Sequence, residues 1–198
     1  MIAGEVLPAE FYRRDSKVVA RALLNKVLVH DGRAGRIVET EAYCGAIDAG
    51  SHAYRGKNRK NATMFEGPGM LYVYFTYGMH WCANAVCGEE DIALAVLIRA
   101  LAPLEGLDAM RLGRGPQATR DRDLCSGPAK LTQALGLSGL HDGANLVTGD
   151  RGVTIVDDGV RPPRSPGNST RIGVIEGGEH PWRWYIRGEP NVSRAPRT

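Results

Sequence analysis

Residues 36–43 read Arg36-Ile37-Val38-Glu39-Thr40-Glu41-Ala42-Tyr43. In an extended strand alternate side chains share a face. On that period Ile37, Glu39, Glu41 and Tyr43 stand on one side, and Val38, Thr40 and Ala42 on the other. The second set is small or β-branched and suits a core. The acids then either meet solvent or line a cleft, where a carboxylate beside an aromatic ring is a candidate catalytic base. Periodicity by itself favours solvent.

Working outward, residues 26–30 alternate as a short strand, and Asp31-Gly32 is a hairpin signal that joins them to the acidic strand, which Gly35 opens. Residues 8–24 read as helix. Asp15-Ser16 offers an N-cap, and Val18, Val19, Ala22 and Leu23 recur on one face. Residues 44–68 form a long polar loop that contains His52, and a loop of that length is functional or disordered. Residues 70–77 and 80–86 pair as an aromatic-rich hairpin turning at Gly78. Its tip carries Tyr77 and Met79, as a wedge, as an interface, or folded back onto the core. The apolar run 91–101 reads as a buried central strand, with Arg99 near its end expected to reach solvent. A short helix is expected at 103–112. Another opens at Ser126-Gly127-Pro128 and ends at Gly136. Residues 153–157, 171–175 and 182–187 read as further strands. No internal repeat, P-loop, dinucleotide fingerprint or nucleophile elbow is present. The fold expected is α+β: one compact domain over 1–198, a mostly antiparallel sheet, peripheral helices and a protruding β-hairpin.

The 198 residues, 43% hydrophobic and 24% charged, have globular composition. The net charge of +3 permits an anionic partner without demanding one. Basic residues cluster at Arg55, Lys57, Arg59 and Lys60; at Arg111, Arg114, Arg120 and Arg122; and at Arg161, Arg164 and Arg171. Each cluster is either a solvated face or a grip on a polyanion such as a phosphate backbone. Cys44, Cys82, Cys87 and Cys125 form no Cys-x-x-Cys pair and no zinc-ligand spacing, so reduced thiols in an intracellular protein are expected. The N-terminus lacks signal-peptide character, and no apolar run is long enough to span a membrane.

Four motifs, Arg-Ile-Val-Glu-Thr-Glu-Ala-Tyr (36–43), Tyr-Val-Tyr-Phe-Thr-Tyr-Gly-Met-His (72–80), Leu-Ile-Arg-Ala-Leu-Ala-Pro-Leu-Glu-Gly (97–106) and Asp-Leu-Cys-Ser-Gly-Pro-Ala-Lys-Leu (123–131), occur in this order. With Arg-Ile-Gly-Val (171–174) and Trp-Arg-Trp-Tyr-Ile-Arg-Gly (182–188), the chain resembles the alkyladenine (3-methyladenine) DNA glycosylase family over nearly its whole length. The resemblance implies an enzyme of base excision repair that flips a damaged purine from duplex DNA and hydrolyses its N-glycosidic bond; glycosylases are among the enzymes for which base flipping is established. By the same resemblance Glu41 is the general base and Arg99 helps hold the water and a phosphate. Tyr43, His52, Tyr74 and Asn84 form the base pocket, and Tyr77, with Met79 beside it, fills the vacated stack.

The chemistry suits these residues. A carboxylate facing an oxocarbenium-like sugar both deprotonates water and stabilises the developing charge. Aromatic faces attract a cationic alkylated purine by about 0.5–2 kcal/mol per contact. No lysine has a spacing that suggests Schiff-base chemistry, so hydrolysis without strand cleavage is expected, by a monomer, with no cofactor and no metal. Two other readings remain open: a non-catalytic binder of damaged DNA, and a hydrolase acting on RNA or free nucleosides.

Overall fold

A computed structural model describes residues 2–76 and 78–193. Two twelve-residue strands, β3 (Arg33–Cys44) and β6 (Leu94–Glu105), run antiparallel at the centre of the sheet. The first half of β3 pairs on its other edge with β2 (Val27–His30), through a turn in which Asp31 and Gly32 have φ of 48° and 70°. Two successive left-handed residues match the twist of a tight hairpin, which is why Asp-Gly serves there. The second half of β3 pairs with β10 (Arg183–Tyr185), which itself pairs with β9 (Gly167–Ser169). Beyond β6 lie β5 (His80–Cys87), β4 (Met70–Thr76) and the short β7 (Ala144–Asn145). Beyond β2 lie β8 (Val153–Asp157) and β1 (Glu5–Val6). Every strand pair among the described residues is antiparallel. The α+β, mostly antiparallel expectation agrees with this.

The expected 8–24 helix is two helices, α1 (Ala9–Tyr12) and α2 (Ser16–Leu23). Asp15 interrupts them because its carboxylate accepts the Lys17 N–H at 2.8 Å and starts a new helix. Helix α2 buries Ser16, Val19, Ala20 and Leu23, an i, i+3, i+4, i+7 stripe. Thr40 Oγ1 donates to the Ala20 carbonyl at 2.9 Å and ties that stripe to β3. Pro103 remains in β6, so α3 spans Leu107–Arg114 instead of the expected 103–112. Helix α4 (Pro128–Leu135) begins at its proline and ends at left-handed Gly136, as expected.

One main core joins Val19 and Leu23 of α2, Met110 of α3, and Leu131 and Leu135 of α4 to Ile37, Ala42, Leu71, Val73, Ala83, Ala85, Val96, Ile98 and Leu101 of the sheet. Ile37 therefore belongs with Ala42 and not with the acids. The β3–β6 register slips between Ile37 and Glu39 and again between Glu39 and Thr40. A bulge of this kind breaks the two-residue period, so side chains before and after it change faces. Residues 171–175, expected as a strand, are irregular. Gly173, at φ 74°, turns the chain there, and among the described residues no strand pairs with it.

Candidate active site

The other face of β4, β5 and β6 opens on a cavity of about 630 Å³. Tyr72, Tyr74 and Thr76 reach it from β4, His80, Cys82 and Asn84 from β5, and Ala95, Leu97 and Arg99 from β6. The intervening Leu71, Val73, Ala83, Ala85, Val96 and Ile98 fill the core. Strand alternation thus builds core and cavity wall from the same three strands. Tyr43 of β3, residues 49–52 of the long loop, and residues 172–176 complete the wall.

Both acids of the central strand are fully buried, contrary to the solvated reading. Glu41 Oε1 receives Arg99 Nη1 at 3.1 Å and the Ile172 N–H at 2.8 Å, while its Oε2 accepts the Tyr43 hydroxyl at 3.0 Å. Glu39 Oε1 accepts Arg99 Nε at 2.9 Å, Arg183 Nε at 2.7 Å and Ser193 Oγ at 2.7 Å, and its Oε2 accepts the Ser193 N–H at 2.7 Å. A carboxylate has about four acceptor positions. On Glu39 three donors converge on Oε1 and one meets Oε2, whereas on Glu41 Arg99 and the Ile172 N–H meet Oε1 and the Tyr43 hydroxyl meets Oε2. The two acids, alike in sequence, are chemically unlike in place.

Arg99 is only 6% exposed, because two anions meet its guanidinium. The expectation that it reaches solvent fails for that reason. Burial by itself would raise the Glu39 carboxyl, but Arg99 and Arg183 outweigh it and hold the group below the ordinary carboxylate range. Burial, and then the charge of Glu41, push the Tyr43 phenol well above its usual value, so it stays a donor. A third buried pair lies behind Tyr43. Arg171 Nη1 and Nη2 meet Asp48 Oδ2 and Oδ1 at 2.6 and 2.8 Å, and the guanidinium sits 4.6 Å from the Tyr43 ring centre. Three carboxylates and three guanidiniums therefore neutralise one another beside the cavity.

On the opposite wall, His52 Nδ1 lies 3.0 Å from the Tyr72 hydroxyl, and its ring meets Tyr74 edge-on with centroids 4.5 Å apart. Tyr72 and Tyr74 stack at 5.4 Å. Asn61 Nδ2 donates to the His52 and Gly56 carbonyls at 2.9 and 3.0 Å, which orders the loop that carries His52. Asn84, buried on the cavity wall, donates from Nδ2 to the Tyr72 carbonyl at 3.1 Å.

Arg99, Tyr43, His52, Tyr74 and Asn84, assembled in the sequence by motif, thus line one cavity, and Glu41 lies buried behind its wall, held by Arg99, Tyr43 and Ile172. Met79 stands at the hairpin tip, 66% exposed, and the expectation for Tyr77 lies outside the described residues. Asp48, Tyr72, Arg171, Arg183 and Ser193 belong to the site but were not singled out for it. Tyr72 stood in the strand period with Tyr74 and could have been found. The partnership of Asp48 with Arg171 spans 123 positions, and no sequence signal announces it. Arg171 is also no part of a basic surface, since it is buried. In the second basic cluster, Arg111 is met by Asp108 and Asp121, and Arg120 by Asp123.

The family profile described as Methylpurine-DNA glycosylase (MPG) matches residues 10–190. A Burkholderia lata protein named "Putative 3-methyladenine DNA glycosylase" is 58% identical over 191 residues, covering 96% of this chain and 92% of the relative. Proteins of the same name from Chlorobaculum tepidum and Carboxydothermus hydrogenoformans are 45% and 42% identical, over 95% and 96% of this chain and 90% and 99% of their own.

Proposed function

The chain belongs to the methylpurine-DNA glycosylase family, and from that premise we propose that it excises alkylated or deaminated purines, 3-methyladenine among them, from duplex DNA. The whole chain serves as one glycosylase domain acting as a monomer on cytoplasmic, nucleoid DNA; no described helix is long and apolar enough to cross a membrane. The observation that carries the reading is buried Glu41 held by Tyr43, Arg99 and Ile172, all three in the wall of a cavity in the size range of small-molecule sites, about 300–1,000 Å³.

In this reading the flipped purine enters the cavity between Tyr43 and the His52–Tyr74 wall. Tyr77 and Met79 fill the gap left in the stack. A water held by Glu41 and Arg99 gives its proton to Glu41 as its oxygen bonds to C1′ of the sugar. The N-glycosidic bond breaks with its electron pair passing to the base. An alkylated, cationic purine departs neutral without further protonation. Asn84 excludes bases that carry an exocyclic amine at its position, because stacking alone separates purines poorly. Among the described residues lining the cavity there is no lysine, and we take water as the nucleophile and an abasic site, without strand cleavage, as the product.

Replacing Glu41 by Gln should slow base release from a hypoxanthine- or 3-methyladenine-containing duplex by about 100-fold or more, with DNA binding retained. Equal release rates for variant and wild type would overturn the assignment of Glu41. Parallel assays on single strands, RNA and free nucleosides separate the duplex reading from its alternatives, since a wedge needs a stack to fill.

A further inference from the structure

Arg99 is divided between two buried carboxylates. Its Nη1 faces Glu41 at 3.1 Å and its Nε faces Glu39 at 2.9 Å. Glu39 in turn is held by Arg183 Nε at 2.7 Å, and Ser193 closes the cluster through Nη2 of Arg99 at 3.3 Å and both oxygens of Glu39. Neither acid itself lines the cavity, but all three partners of Glu41 do, whereas of the partners of Glu39 only Arg99 does, so Glu39 reaches the site through Arg99. We infer that Glu39 is a positioning residue that keeps Glu41 basic, by competing with it for Arg99.

The reason is electrostatic. An anion near Glu41 disfavours a second anion, and a guanidinium shared with another carboxylate stabilises each one less than an exclusive partner would. Arg183 tempers the effect from the far side, by drawing Glu39 away from Arg99. The other groups facing this cluster are Tyr43, which donates to Glu41, Cys82 on β5, and Arg171, whose charge is matched by Asp48. None of them contacts Glu39, so the competition runs through Arg99.

The inference rests on Glu41 being the base, and single-turnover base release from a lesion duplex over a pH series tests it. Glu39→Gln should lower the plateau about tenfold and move the acid limb about one pH unit lower, because Arg99 then serves Glu41 alone. Arg183→Met should move the limb the opposite way, as Glu39 claims more of Arg99. Ser193→Ala, which changes no charge, should leave the limb in place, and a melting curve for each variant separates lost folding from lost chemistry. Limbs coinciding with wild type in both charge variants, or moving in the same direction, would overturn the inference. Arg183→Met alone decides it if Glu39→Gln does not fold. A wild type without activity, or a fully active Glu41→Gln, would instead remove the reading of Glu41 beneath it.

Discussion

Among the described residues Asp48 and Arg171 make no hydrogen bond or ion pair with the acids of β3, yet they hold the wall behind Tyr43. Arg171 also donates to the carbonyls of Ala42 and Gly177, at 3.1 and 2.8 Å, so one side chain joins the central strand, the long loop and the 171–177 segment. Burial by itself would raise the Asp48 carboxyl, but Arg171 and the N–H groups of Cys44 and Gly50 hold it below its ordinary value. A carboxyl depressed in the folded state contributes stability that is full above its unfolded pKa and is lost as pH falls through the folded one. Asp48→Ala leaves a buried guanidinium unpaired and should cost about 3–5 kcal/mol at neutral pH. Urea titrations from about pH 7 to about pH 3 should show that this deficit shrinks as the wild type loses the same interaction.

Among the elements, the 171–176 segment departs furthest from expectation. Its alternation of Ile172 and Val174 reads as a strand, but both are only half-buried: they line the cavity, and Val174 lies against Gly50 of the long loop. A methyl group on Gly50 would lie 2.5 Å from Val174 Cγ1, 2.8 Å from Arg171 Nη2 and 2.9 Å from the Glu176 carbonyl. The segment docks there by close backbone approach, and from that dock the Ile172 N–H reaches Glu41. Gly50→Ala should therefore destabilise the protein by about 1–3 kcal/mol, as overpacking does. It should also depress base release more than duplex binding, which single-turnover rates and a binding titration would separate. The caps of α2 and α4 were legible because they are local, whereas of the stripe expected on α2 Val19 and Leu23 are buried and Val18 is exposed. Hydrophobic alternation is local too, but it records only that alternate residues are buried and not what buries them.

For the molecule as a whole, the net charge of +3 conceals an uneven distribution. Arg111 and Arg120 are neutralised by neighbouring acids, and Arg171 lies inside. Arg59 and Lys60 remain exposed on the loop whose earlier residues, 49–52, line the cavity. Binding to duplex DNA measured over a salt series should lose about one unit of slope in log affinity against log salt for Arg59→Gln or Lys60→Gln, and none for Arg111→Gln.

The sequence by itself determined the antiparallel α+β class, the β2–β3 hairpin, the capped helices and, through its motifs, the family and the residues that meet at the cavity. These rest on neighbours a few positions apart, or on patterns particular enough to stand without coordinates. Only the tertiary structure decided that Glu39 and Glu41 differ. The bulge at Glu39, the arrival of β10 and Ser193 from the far end of the chain, and the single guanidinium between the two acids are contacts across 60 to 154 positions. Which groups meet a carboxylate, and whether those groups line the cavity, depends on that packing, which no two-residue period can encode.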